Sequence, residues 1–215
     1  MWGCADMAVI VSKGIVVPYY GPPVGTTWLY EDNGTFIVPA DGIYQVEMHG
    51  GGGGGGFGGV TYDSTWAATV YQGGGGGGGS GEIITTSLIK NTSYEIKIGG
   101  GGTGATNSTA ETAATDGGTT SFGDYSIGGG KAGITSTRTN TSGGSASGSL
   151  ATSGKNGEYQ MYIAIGGAGG YGNKNNTTQT YGNGGKGGEG GSGTVEQWGA
   201  SGNPGAVIIT FMGVA

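Results

Sequence analysis

Most of the residues that carry chemistry in proteins are scarce in this chain. Among 215 residues there is one cysteine, Cys4, and one histidine, His49. A single cysteine excludes an intrachain disulfide framework. One cysteine and one histidine cannot supply the sets that hold zinc, and no D-x-D-x-D-G run is present for a calcium loop. No metal and no cofactor is expected. Only 5 residues are proline, and no Gly-X-Y period is sustained, so a collagen helix is excluded. Lys and Arg together number 8 against 14 acidic residues and form no cluster, so the footprint of a nucleic-acid-binding protein is missing. No apolar run reaches the roughly 18 residues of a membrane-spanning helix. Residues 8–17 are apolar in part, but Lys13 and Gly14 interrupt them and no signal peptide is read. The expectation is a product released without the usual export route. Helix signals are also absent: no glycine-free stretch places apolar residues at i, i+3, i+4 and i+7.

Glycine fills the space left by these absences. It accounts for 57 residues, more than a quarter of the chain, against a usual share of about 7%. Two uninterrupted runs of seven, 50–56 and 73–79, dominate the pattern. Disorder requires low hydrophobicity and high net charge. Here only 10% of residues are charged, the net charge is -6 and 34% are hydrophobic, with four Trp and twelve Tyr.

Strand signals are few and clear. Thr35-Phe36-Ile37-Val38 stops at Pro39, a turn at Asp41-Gly42 follows, and 43–48 alternates apolar with polar. Further strands are expected at 82–89, 94–98, 159–165 and 206–212, with Trp28, Phe36 and Tyr44 in the core. Strand after strand runs directly into glycine. A polyproline-II-type glycine helix rises about 3.1 Å per residue without internal hydrogen bonds, so seven residues span about 22 Å. Buried, such a helix needs neighbours for every amide and carbonyl, and packed glycine helices can provide them. The expected architecture is mainly β and irregular, with a small antiparallel framework, a bundle of packed polyglycine-II helices and almost no α-helix. Residues 1–27 read as an N-terminal attachment or oligomerisation segment, and 28–215 as the glycine-rich domain. With strands at one end, the loops 57–72, 105–116, 134–149 and 171–183 are expected to gather at the other.

The block 34–48 followed by the first glycine run resembles the start of the glycine-rich domain of phage tail fibres. Thr119-Thr120-Ser121-Phe122-Gly123, the Gly128-Gly129-Gly130-Lys131-Ala132-Gly133 segment and the closing Gly205-Ala206-Val207-Ile208-Ile209-Thr210-Phe211 strand resemble that family's recurrent elements in the same order. The resemblance implies a tail-fibre tip adhesin. Its packed polyglycine helices would present variable loops to a bacterial surface receptor, either an outer-membrane protein or a glycan. It also implies a place on the virion, extracellular after lysis. The N-terminal segment would dock on another tail-fibre protein or on a copy of itself, with a homotrimer among the options. A structural fibre domain without a receptor and a cell-surface adhesion module are the alternative readings.

Catalysis is not expected. Gly166-Gly167-Ala168-Gly169-Gly170 contains pieces of a dinucleotide signature, but such pieces arise from composition alone and no helix follows. No lysine is followed by Ser or Thr for a phosphate loop. The residues expected to meet a receptor are Tyr62, Asp63, Trp66 and Tyr71 in the first loop, Asn107 and Arg138 in the next two, and Tyr171, Asn173, Lys174, Asn176 and Tyr181 in the last. Tyr, Trp, Asn and Gly suit adaptable recognition surfaces. Each aromatic could equally cover the flank of a glycine core that has no side chains of its own.

Overall fold

The computed structural model describes residues 8–12, 15–19, 21–62, 68–73, 76–106, 113–137, 142–160, 163–176, 178–185, 187, 190–191 and 198–214. Among them there is no α-helix. An N-terminal hairpin pairs β1 (Ala8–Ser12) with β2 (Ile15–Tyr19). Two four-stranded antiparallel sheets follow. One is ordered β3 (Thr27–Tyr30), β16 (Ala206–Gly213), β5 (Gly42–His49), β8 (Gly81–Leu88). The other is ordered β11 (Tyr125–Ile127), β10 (Thr120–Phe122), β9 (Ser93–Lys97), β4 (Gly34–Ile37). The strict alternation of β5 sends Tyr44, Val46 and Met48 into the core, where they meet Val207, Ile209 and Phe211 of β16 and Phe36, Ile96 and Phe122 of the second sheet. Phe36 and Tyr44 are buried as expected, and Trp28 packs on them from the rim, 5.3 Å from Phe36 edge to face. The buried Tyr44 hydroxyl donates to the Ala40 carbonyl at 2.8 Å.

Among the described residues the glycine segments form ten rods on this sandwich. They run 50–56, 76–80, 99–105, 113–118, 128–134, 142–147, 151–156, 166–171, 182–185 and 198–204, and alternate in direction along the chain. The hydrogen bonds of 50–56 repeat every three residues, the period of a polyproline-II-type helix. Amides of Gly50 and Gly53 donate to Ser80 and Gly77, those of Gly51 and Gly54 to Gly118 and Thr115, and those of Gly52 and Gly55 to Asn203 and Ala200. Its carbonyls accept from Gly130 and Gly133, from Gly102 and Ala105, and from Gly185. Six rods therefore surround it: three antiparallel rods accept its N–H groups and three parallel rods donate to its carbonyls.

Rod 76–80 is a second centre. It donates to Gly185, Lys131 and Thr152 and accepts from Gly53 and Gly170. This geometry explains the seven-glycine runs. A rod flanked on all sides has no direction in which a side chain can point: a Cβ at Gly53 would lie 2.1 Å from the Lys131 carbonyl oxygen, and one at Gly76 would lie 2.0 Å from that of Gly53. Outer rods have a free flank, and there Thr103, Thr115, Lys131, Ser145, Thr152 and Ala200 are admitted.

Two expectations need correction. Segment 159–165 is not one strand of the main framework. It contributes β13 (Glu158–Gln160) and β14 (Ile163–Ile165), which pair antiparallel with each other. Strands also stand at both ends of the bundle. Beyond the rods, β6 (Gly59–Tyr62), β7 (Ala68–Gly73) and β12 (Thr135–Thr137) form one three-stranded sheet. There β13 and β14 form another with β15 (Gly190–Gly191). A rod that carries the chain away from the sandwich must reverse, and an antiparallel hairpin satisfies the reversing backbone.

Candidate functional site

The rods separate the expected site residues into two groups. At the far end, the rod 50–56 delivers the chain to β6 and β7, where Tyr62 pairs with Ala68, and Tyr71 pairs with Gly59 and with Thr137 of β12. Phe57 is fully buried at the tip of the central rod, and its amide donates to Thr135 Oγ1 at 2.8 Å. For Phe57 the covering role therefore holds: it closes the end of a core that has no side chains. Asp63, Trp66, Asn107 and Arg138 lie outside the described residues. The far end also carries Trp198, 68% exposed, which opens the rod 198–204 beside Ala105, and Ile134, 57% exposed, at the end of rod 128–134. Trp198 was not among the expected site residues. A lone tryptophan between glycine- and serine-rich segments was the available signal.

The last loop lies elsewhere. Segment 171–183 sits against the sandwich, not at the far end, because rod 166–171 runs back towards β5 and the next rod leaves from there. Lys174 N donates to the Leu150 carbonyl at 2.6 Å, and Gly182 N to that of Pro204 at 2.7 Å. Buried Asn173 is the pivot. Its Nδ2 donates to Glu47 Oε1 and to Gln179 Oε1, each at 3.0 Å. Its Oδ1 accepts from the amides of Asn175 and Asn176 at 3.0 and 3.2 Å. An amide side chain with both ends engaged is a fastening. Tyr171, Lys174 and Asn176 are exposed around it, and Tyr181 is half-buried.

His49 completes the fastening. It is fully buried, with Nδ1 3.2 Å from the Gly172 carbonyl oxygen and Nε2 2.7 Å from Glu47 Oε1. A carbonyl can only accept, so the Gly172 contact makes Nδ1 the donor there, while Nε2 faces the Glu47 carboxylate. Both ring nitrogens are thereby engaged. The Tyr181 ring lies 6.3 Å from the imidazole. Partial burial, and then the charge of Glu31, push the Tyr181 hydroxyl above the ordinary phenol value. A shallow cavity of about 480 Å³ opens nearby, lined by Glu31, Asp32, Asn33, Ile98, Gly100 and Pro204. No group of three or more His, Cys, Asp or Glu side chains among the described residues is placed to hold a metal ion.

A family model for a glycine-rich domain matches residues 31–173, which is 143 of the 215 residues. None of the curated proteins compared with the chain matches it. The matched span stops short of rods 182–185 and 198–204 and of β16, although rod 50–56 and the sheet of β5 depend on all three.

Proposed function

Because this chain belongs to the glycine-rich domain family, we propose that it is a receptor-binding protein at the tip of a phage tail fibre, displayed on the virion and acting by non-covalent recognition of a bacterial surface receptor. The observation that carries this reading is the two-ended layout. The chain enters the folded unit through β3 and leaves it through β16, neighbours in one sheet at the sandwich end. The chain before β3 and after β16 therefore joins at that end, opposite the hairpin sheets of β6 and β13, which this reading takes as the free end. The recognition surface is the free end, where Tyr62, Tyr71 and Trp198 stand; Asp63, Trp66, Asn107 and Arg138, outside the described residues, are assigned to recognition from the sequence. Tyr171, Lys174 and Asn176, at the fibre-facing end, are assigned no receptor contact. Asn173, Tyr181 and His49 fasten a loop, and an imidazole with both nitrogens engaged is a poor general base, which favours a binding protein over an enzyme. Residues 1–27 serve attachment to a fibre protein or to a second copy.

The test is competition with phage adsorption by the purified chain. Trp66→Ala and Trp198→Ala are expected to weaken competition by about tenfold or more, the loss typical of an aromatic anchor. Lys174→Ala and Asn176→Ala are expected to leave it unchanged. The opposite pattern would move recognition to the sandwich end. No competition by any form of the chain would leave a purely structural fibre domain.

A further inference from the structure

A finite lattice of rods leaves outer backbone N–H groups pointing away from the bundle. They present the same hazard as an open edge strand, which another chain can extend. Here many of those groups are met by a side-chain oxygen from the adjacent rod. On rod 151–156, Thr152 Oγ1 accepts from Tyr171 N at 2.7 Å, Ser153 Oγ from Ala146 N at 3.2 Å, and Asn156 Oδ1 from Gly143 N at 3.0 Å. On rod 113–118, Thr115 Oγ1 accepts from Thr103 N and Asp116 Oδ1 from Ala132 N, both at 2.8 Å. The Asp116 carboxylate is itself held by Lys131 Nζ at 2.7 Å. Ser201 does the same for Gly104. The capping rods alternate with the rods they cap, so one kind of short oxygen-bearing side chain recurs at these outer amides.

We infer that these side chains close the lattice against lateral growth, and that the partner they exclude is a glycine rod of a second copy of this chain. A rod can join such a lattice only by offering carbonyls to free amides and amides to free carbonyls, as the inner rods do for one another. Occupied outer amides leave an incoming rod half its bonds. The chemistry of the caps fits this role. Thr, Ser, Asn and Asp are short enough to reach back to a backbone one rod away, and they add polar surface that does not repeat like glycine.

The test removes one set of caps and compares it with neighbouring polar groups that cap nothing. In the triple variant Thr152→Val, Ser153→Ala, Asn156→Ala, the amides of Gly143, Ala146 and Tyr171 are expected to exchange hydrogen faster. The protein is expected to keep a cooperative melt and to gain a concentration-dependent association step in sedimentation beyond that of the unaltered chain. The control Ser142→Ala, Ser145→Ala removes two hydroxyls from the adjacent rod and is expected to sediment like the unaltered chain. Thr152→Val alone gives a milder form of the same test. The inference is overturned if the triple variant sediments like the unaltered chain, or if the control associates equally. It is also overturned if the cooperative melt is lost in the triple and single variants, since the caps would then hold the fold and not its edge.

Discussion

At the scale of single residues, the position of a glycine in the lattice decides what it tolerates. Gly53 and Gly76 are enclosed by backbone on every side, whereas a Cβ at Gly100 would meet nothing within 4 Å. Gly53→Ala is therefore expected to cost at least about 3 kcal/mol, the upper range for overpacking against atoms that cannot move aside. Gly100→Ala should be neutral or stabilising by up to about 1 kcal/mol through a less flexible unfolded chain. Thermal melts of the two variants separate these outcomes. Tyr181 gives a pH signature. Its folded-state hydroxyl value is raised by burial and by Glu31, so its contribution is fully present below the unfolded phenol value of about 10 and is lost as pH rises through the folded value. Stability measured from neutral to alkaline pH should fall less steeply in Tyr181→Phe than in the unaltered chain. The special status of Gly53 and Gly76 was legible in the sequence, because a seven-glycine run has few other uses once strands flank it. The roles of Phe57 and Asn173 were not legible. An aromatic that plugs a rod tip and an amide that fastens a loop have the same composition signature as a recognition surface.

At the scale of elements, strands that alternate over five residues or more were legible, and the short hairpins that reverse a rod were not. The 43–48 and 94–98 segments alternate and became β5 and β9. The pairs β6–β7 and β10–β11 are short hairpins whose sequences lack alternation long enough to register, whereas 159–165 alternates but is divided into β13 and β14; all three hairpins follow from the need to reverse a rod. The site suffered most from this limit. Whether a loop lies at the near or the far end depends on how many rods precede it, and the turn at 148–150, which adds a reversal, has no strong signal beyond Gly148, at φ 85°. Loop 171–183 was therefore expected at the wrong end. The joint between sandwich and rods rests on Thr120, whose hydroxyl donates to the His49 carbonyl at 2.7 Å and accepts from Gly99 N at 3.0 Å. Thr120→Val leaves both of those backbone groups buried without that partner and is expected to cost about 2 kcal/mol, measurable by chemical denaturation. Thr35→Val, on the exposed face of β4, should change stability by about 0.5 kcal/mol or less.

At the scale of the whole molecule, the ten described rods around two glycine centres form a spacer whose stiffness comes from backbone hydrogen bonds, and the hydrophobic cluster of the described residues lies in the sandwich. Under the proposed function, such a spacer would hold a recognition surface away from its attachment on rods that have few side chains. The claim on which this rests is that the glycine runs are ordered, fully bonded inner rods. Amide hydrogen exchange tests it directly. The amides of 50–55 and 76–79 are expected to exchange as slowly as those of the central strands β5 and β16, because opening any of them requires opening the lattice. Exchange at the rate of an unstructured glycine linker, with β5 and β16 still protected, would contradict it.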